Sequence, residues 1–219
     1  MSESDGVFIV VDGPDGAGKS TLVARIVERL RSEGGDVVPV REPGGTPAAE
    51  LARRGAFDPD LSASPLAELF FILAARADLV AQVIRPAVAR GQIVVSDRYE
   101  LSTFAYQIEG RGLPREAVLA ANRLATGGLA PDLTLLLDIP VSVGRARQSA
   151  QGKELDRMEQ EDDGLHERVA RAFRTMQGPT IEHLSADRTA AAVASEAMDI
   201  IERRIAKHFP GARVEPRAE

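Results

Sequence analysis

The stretch from Val7 to Ser20 confines this chain more than any other. An unbroken apolar run, Val7-Phe8-Ile9-Val10-Val11, ends in Asp12 and is followed at once by Gly13-Pro14-Asp15-Gly16-Ala17-Gly18-Lys19-Ser20. A short β-branched run of this kind is a strand buried on both faces. The octapeptide fits G-x-x-x-x-G-K-[ST], and helical spacing takes over across residues 18–31, where Leu22, Ile26, Val27 and Leu30 make one stripe. Strand, glycine loop and helix in that order let successive backbone N–H groups converge on phosphate oxygens without obstruction by Cβ atoms. The helix adds the positive end of its dipole. Lys19 then supplies a point charge to β- and γ-phosphates, and Ser20 a hydroxyl for Mg²⁺. Gly13, Pro14, Asp15, Gly16, Ala17, Gly18, Lys19, Ser20 and Thr21 are accordingly expected to form the cradle of a nucleoside triphosphate.

The remaining pattern repeats this alternation. Strands are expected at 36–40, 92–96 and 133–137, with a weaker one at 181–184. Between them lie helical patterns at 66–89, bent or divided by Pro86, and at 114–125, 141–147, 165–176 and 189–205. Strands alternating with helices predict an α/β fold: three layers, α/β/α, around a doubly wound parallel sheet of five strands. Three strands end in an acid (Asp12, Asp97, Asp138), and in such sheets ligands bind beyond the carboxyl ends of the strands. Residues 1–208 read as one domain, the polar stretch 148–163 as a mobile lid, and 209–219 as a tail.

Composition removes other classes. With 27 basic against 33 acidic residues, aromatics at 4% and no Trp, the chain is a poor non-specific binder of nucleic acid or anionic membrane. It has no cysteine, hence no disulfide or thiolate metal site, which fits a cytoplasmic setting. No apolar run approaches 18 residues, so neither a membrane span nor a signal peptide is expected.

A phosphate loop alone does not separate a GTPase, a motor ATPase and a small-molecule kinase. A guanine-reading Asn-Lys-x-Asp is absent, and motors need more chain. Asp15 is the informative residue, because a carboxylate inside an anion cradle repels the phosphates beside it. It points either outward, to a sugar hydroxyl or a metal-bound water, or simply forms the turn. Arg98, following Asp97 at a strand end, has a fork suited to a monophosphate, or closes the strand as an ion pair.

Taken with Arg41-Glu42-Pro43-Gly44-Gly45-Thr46, Ala74-Ala75-Arg76, Asp97-Arg98-Tyr99, Ser102-Thr103, Ala105-Tyr106-Gln107, Gly110-Arg111-Gly112, Pro131-Asp132-Leu133-Thr134 and Glu154-Leu155-Asp156-Arg157, residues 7–160 strongly resemble the thymidylate kinase family. The resemblance implies transfer of the ATP γ-phosphoryl group to dTMP, giving dTDP, with Mg²⁺; the transfer is expected to run in line, without a covalent enzyme intermediate. It implies that Arg98 clamps the acceptor phosphate and that Asp97 orders the metal's water shell. It places Arg76 at the thymine edge, where a lone helical arginine would otherwise be a snorkelling surface residue. Ser102, Thr103, Tyr106 and Gln107 would contact base and deoxyribose, Tyr106 crowding the 2′ position. Arg41 would flank the acceptor phosphate, or else form a surface ion pair.

Two positions depart from the family pattern. Ile72 stands where relatives stack a phenylalanine on thymine, so either Phe71 serves by a one-residue shift or Ile72 makes a weaker contact. Gly16 stands where some relatives carry a basic residue, so the lid must supply that charge. Arg157 and Lys153 are the candidates, with Arg147 next, although Gln148 and Gln151 occupy places where relatives often carry arginine. Relatives are often homodimers, and the 66–89 helix is a candidate interface. Two other readings stay open: a kinase for another nucleoside monophosphate such as dUMP, and a nucleotide-binding regulatory homologue without transfer.

Overall fold

The computed structural model describes residues 6–150, 152 and 156–205. Lys153, Gln151 and the expected tail at 209–219 lie outside the described residues. Five strands, β1 (Val7–Asp12), β2 (Val37–Arg41), β3 (Ile93–Asp97), β4 (Leu133–Asp138) and β5 (Ile181–Ser185), pair in parallel in the order β2-β3-β1-β4-β5. The expected α/β class and strand count are thus observed.

β1 is buried at every position because both its faces are covered. Side chains alternate along a strand, so Val7, Ile9 and Val11 meet Leu22, Ile26 and Leu30 of α1 (Lys19–Ser32) and Ala197 and Ile201 of α9 (Ala190–Ile205). Phe8 and Val10 face the other way, onto Leu79, Ile84 and Tyr99. The Phe8 and Tyr99 rings meet edge to face at 5.0 Å.

Strand order positions the site. The chain runs from β1 out to β2, returns to β3 beside β1, then crosses to β4 on the other side. That reversal opens a crevice at the carboxyl ends of β1 and β3. Their register pairs Val11 with Asp97, which brings the loop after β1 next to Asp97-Arg98.

The helices add what periodicity does not reveal. α2 (Pro47–Phe57) has no counterpart among the expected helices: its buried positions are Ala49 and Ala56, too small to draw an apolar stripe. It is capped by Thr46, whose hydroxyl accepts from the Ala49 N–H at 3.1 Å. The 66–89 pattern becomes α3 (Pro65–Leu79), one wide π-turn at Val80–Ile84, and α4 (Arg85–Ala89). The Arg85 N–H reaches back five residues to the Val80 carbonyl just ahead of Pro86, which has no N–H to give. A second wide turn, Phe104–Gly110, follows the short α5 (Glu100–Thr103) and carries Tyr106 and Gln107. Next comes α6 (Arg115–Thr126). α7 (Val141–Ala150) runs further than its pattern, into the stretch read as lid, and α8 (Asp163–Thr175) closes that stretch with Asp162 as its cap.

Candidate active site

The loop after β1 is built for close backbone approach. Gly16 has φ +74°, and a Cβ there would lie 2.2 Å from the Gly144 carbonyl oxygen of α7. A Cβ on Gly144 would in turn lie 2.6 Å from the Asp15 carbonyl oxygen. Loop and helix therefore touch main chain to main chain, and no side chain fits at position 16. The buried Lys19 ammonium donates to the Pro14 carbonyl at 2.7 Å. Burial, then the Arg98 charge, pushes its pKa down to about 8.

Asp12 fastens this loop to the next element. Its fully buried carboxylate accepts from the N–H groups of Gly13 (2.9 Å), Tyr99 (3.2 Å) and Ser102 (3.0 Å) and from the Ser102 hydroxyl (2.6 Å). Its only signal in the sequence is an acid at a strand end.

Arg98 has φ +73°, alone among the described non-glycine residues in the left-handed region. Its N–H bonds the Val11 carbonyl at 2.9 Å, which holds that conformation in place. The guanidinium donates to the Gly13 carbonyl (3.1 Å) and the Ser102 hydroxyl (2.8 Å), and pairs with Asp15. Asp15 also accepts the Tyr106 hydroxyl at 2.6 Å. Burial pushes the Asp15 carboxyl up, but Arg98, Lys19 and Tyr106 together hold it below the usual carboxylate range. Asp15 is thus turned onto Arg98, one answer to the question its position raised. Beside it the Ser20 hydroxyl donates to Asp97 at 2.5 Å.

Arg76 does not snorkel; it is 1% exposed. Its fork bonds Glu42 at 2.6 Å, Thr103 at 2.9 Å, Asn122 at 2.6 Å and the Tyr99 carbonyl at 2.9 Å. The other Glu42 oxygen is buried without a partner. Burial, opposed by Arg76, raises the Glu42 pKa to about 7.

One cavity of about 860 Å³ joins these groups. Its wall includes the loop residues 15–22, Asp97, Arg98, Ser102, Thr103, Tyr106, Gln107, Arg76 and Arg147. Arg41 stands on the wall while paired with Glu50 at 2.7 Å. Ile72 is on the wall; Phe71 is not, its ring packing instead where a Cβ on Gly55 would meet it at 2.6 Å. The two candidate cations within the described residues, Arg147 just ahead of the lid and Arg157 within it, part company. Arg147 lines the cavity and donates to the Ala186 carbonyl at 3.1 Å. Arg157 is turned away, with its guanidinium on the Ala56 carbonyl and on Glu68. Sequence reasoning missed Arg53, Phe57 and Arg188, which also line the cavity and belong to no motif. Phe57 lies under the Arg53 guanidinium at 5.1 Å.

Among the described residues no three His, Cys, Asp or Glu side chains cluster as a metal cage. Nor is any helix among them long and apolar enough to cross a membrane. The Ser20 hydroxyl and Asp97 carboxylate offer hard oxygens at the foot of the loop, the donor set that Mg²⁺ takes alongside nucleotide phosphates.

A phosphate loop with a buried lysine, opposed in one cavity by an arginine at the next strand end, defines a P-loop nucleotide kinase, a phosphotransferase. Comparison with known proteins narrows the class. A family model described as Thymidylate kinase matches residues 11–197. A thymidylate kinase of Ectopseudomonas mendocina (strain ymp) is 50% identical over 80% of this chain and 84% of its own length. One of Pseudomonas putida (strain GB-1) is 44% identical over 94% and 96%, and one of Synechococcus sp. (strain JA-2-3B'a(2-13)) is 45% identical over 91% and 96%. The chain belongs to the thymidylate kinase family.

Proposed function

We propose that this chain phosphorylates dTMP to dTDP with ATP as donor, in the cytoplasm. The observation that carries the reading is that Lys19, seated on the Pro14 carbonyl, and Arg98, paired with Asp15, line one cavity. One cation suits a triphosphate tail and the other a lone phosphate. Lys19 and the loop N–H groups hold the donor phosphates, and Arg147, on the cavity wall, neutralises them from the lid side. Arg157 reaches the transferring group only by leaving Ala56 and Glu68. Ser20 and Asp97 would hold Mg²⁺, which when bound would supply charge neutralisation to the donor phosphates.

The acceptor phosphate takes Arg98 from Asp15, freeing the carboxylate and the Tyr106 hydroxyl toward the sugar. Arg76, held in place by four hydrogen bonds, presents a fixed edge to the base, with Thr103 and Gln107 beside it. No general base is required, because a phosphate dianion is already a nucleophile.

Measuring ADP release with ATP and each nucleoside monophosphate tests the assignment. dTMP should be the preferred acceptor, and Lys19→Met and Arg98→Ala should each lower turnover by about two orders of magnitude or more. Retained turnover in both would refute the roles assigned to these two cations. Ile72 favours a second reading, in which dUMP is accepted as readily as dTMP; the same panel decides it. The exposed Leu66 and Phe70 of α3 support a homodimer across that helix, to be checked by the solution mass.

A further inference from the structure

Glu68 lies on α3, is fully buried, and is not part of the cavity wall. Donors from three separate places meet on its carboxylate. The Gln107 side-chain amide gives its Nε2–H at 2.9 Å. Arg111 gives Nε–H at 3.2 Å and Nη2–H at 2.9 Å. Arg157 gives Nη2–H to the second oxygen.

Each of these bonds has a consequence elsewhere. A carboxylate only accepts, so the NH₂ end of Gln107 is the end that must face Glu68. The amide oxygen is what remains for the cavity, where Gln107 forms part of the wall. On the other side, Arg157 and Arg111 hold down residues 156–161. Arg157 is itself in that segment, while Arg111 reaches it through the Met158 sulfur (3.0 Å) and Glu161 (2.7 Å).

We propose that Glu68 is a positioning residue with two outputs. It fixes the Gln107 amide with its oxygen toward the acceptor base, and it anchors the 156–161 segment of the lid through Arg157 and Arg111. The first output rests on the reading of Gln107 as an acceptor-side residue. An acceptor oxygen held toward the base favours a pyrimidine whose N3 carries a hydrogen, as in dTMP, over one whose N3 is a bare acceptor, as in dCMP.

Glu68→Gln tests both outputs, since an amide can donate as well as accept and no longer dictates which way Gln107 points. Losing one charge-assisted bond should raise KM for dTMP about tenfold, with little change in KM for ATP. The dTMP over dCMP preference in kcat/KM should shrink by a similar factor, and amide hydrogen exchange across 156–161 should quicken. A folded Glu68→Gln enzyme with unchanged dTMP KM and preference, or with unchanged exchange in that segment, overturns the proposal.

Gln107→Leu separates the two roles. If it leaves dTMP binding intact, the acceptor-side role of Gln107 fails. If it weakens binding while Glu68→Gln does not, only the role of Glu68 fails. Should Glu68→Gln not fold, the unsubstituted enzyme still decides. The Gln107 side-chain amide protons, identified by NMR through their loss in Gln107→Leu, should exchange slowly with and without dTMP. Rapid exchange in either state overturns the proposal.

Discussion

Raising the pH from 7 to 9 should loosen ATP while leaving the fold intact, because Lys19 is buried and its pKa lies at about 8. At pH 7 roughly nine-tenths of the enzyme carries the Lys19 charge and at pH 9 a little under one-tenth, so apparent affinity should fall about tenfold. Stability moves the other way. A folded-state value of about 8 against 10.5 for an ordinary lysine means that the unfolded chain holds this proton more tightly. Burying the charge costs about 3 kcal/mol below pH 8, and that cost is relieved as pH climbs toward 10.5. Calorimetric ATP titrations and urea unfolding, each on the unsubstituted protein and on Lys19→Met across this range, give the Lys19 contribution as a difference. A difference in affinity that stays constant to pH 10 would refute the reasoning. So would a stability difference that falls with pH.

Three further outcomes are expected. Arg76→Met should destabilise the protein by about 3–5 kcal/mol in urea unfolding, since it strands the buried Glu42 carboxylate. The loss should be smaller at about pH 5.5 than at pH 8, because Glu42 is neutral below its pKa of about 7. Ile72→Phe should lower KM for dTMP about two- to tenfold if the base rests on this part of the wall; an unchanged KM would shift that contact to Phe57. Gly144→Ala should weaken ATP binding about tenfold by driving a Cβ onto the Asp15 carbonyl, and calorimetry showing normal affinity would mean that the loop and α7 part freely.

The strands were legible because β1, β3 and β4 are short apolar runs ending in a charge, and pure burial demands that composition. Their order was not, since which edge receives β2 depends on pairings far apart in sequence. α2 escaped because alanines bury its face, and the wide turns escaped because backbone hydrogen bonds, not side-chain type, define them. In the site, the phosphate loop and Asp97-Arg98 were readable as motifs at strand ends. Ile72 and Phe71 were not separable: adjacent residues on a helix point about 100° apart, and only the packing of Phe71 against Gly55 shows which one faces inward. The four-bond seat of Arg76 draws on Glu42, Tyr99, Thr103 and Asn122, whose sequence separations give no hint of contact.

The pairing with Asp15 gives the Arg98 guanidinium a counter-ion from its own chain. On the role proposed for Arg98, entry of the acceptor trades one anion for another at the strand end. A tethered carboxylate is a strong competitor, and a weakly held anion such as sulfate or free phosphate must displace it with nothing else to hold on to. A nucleotide brings its base and sugar to the same contest, which reserves the seat for a ligand long enough to fill the rest of the cavity.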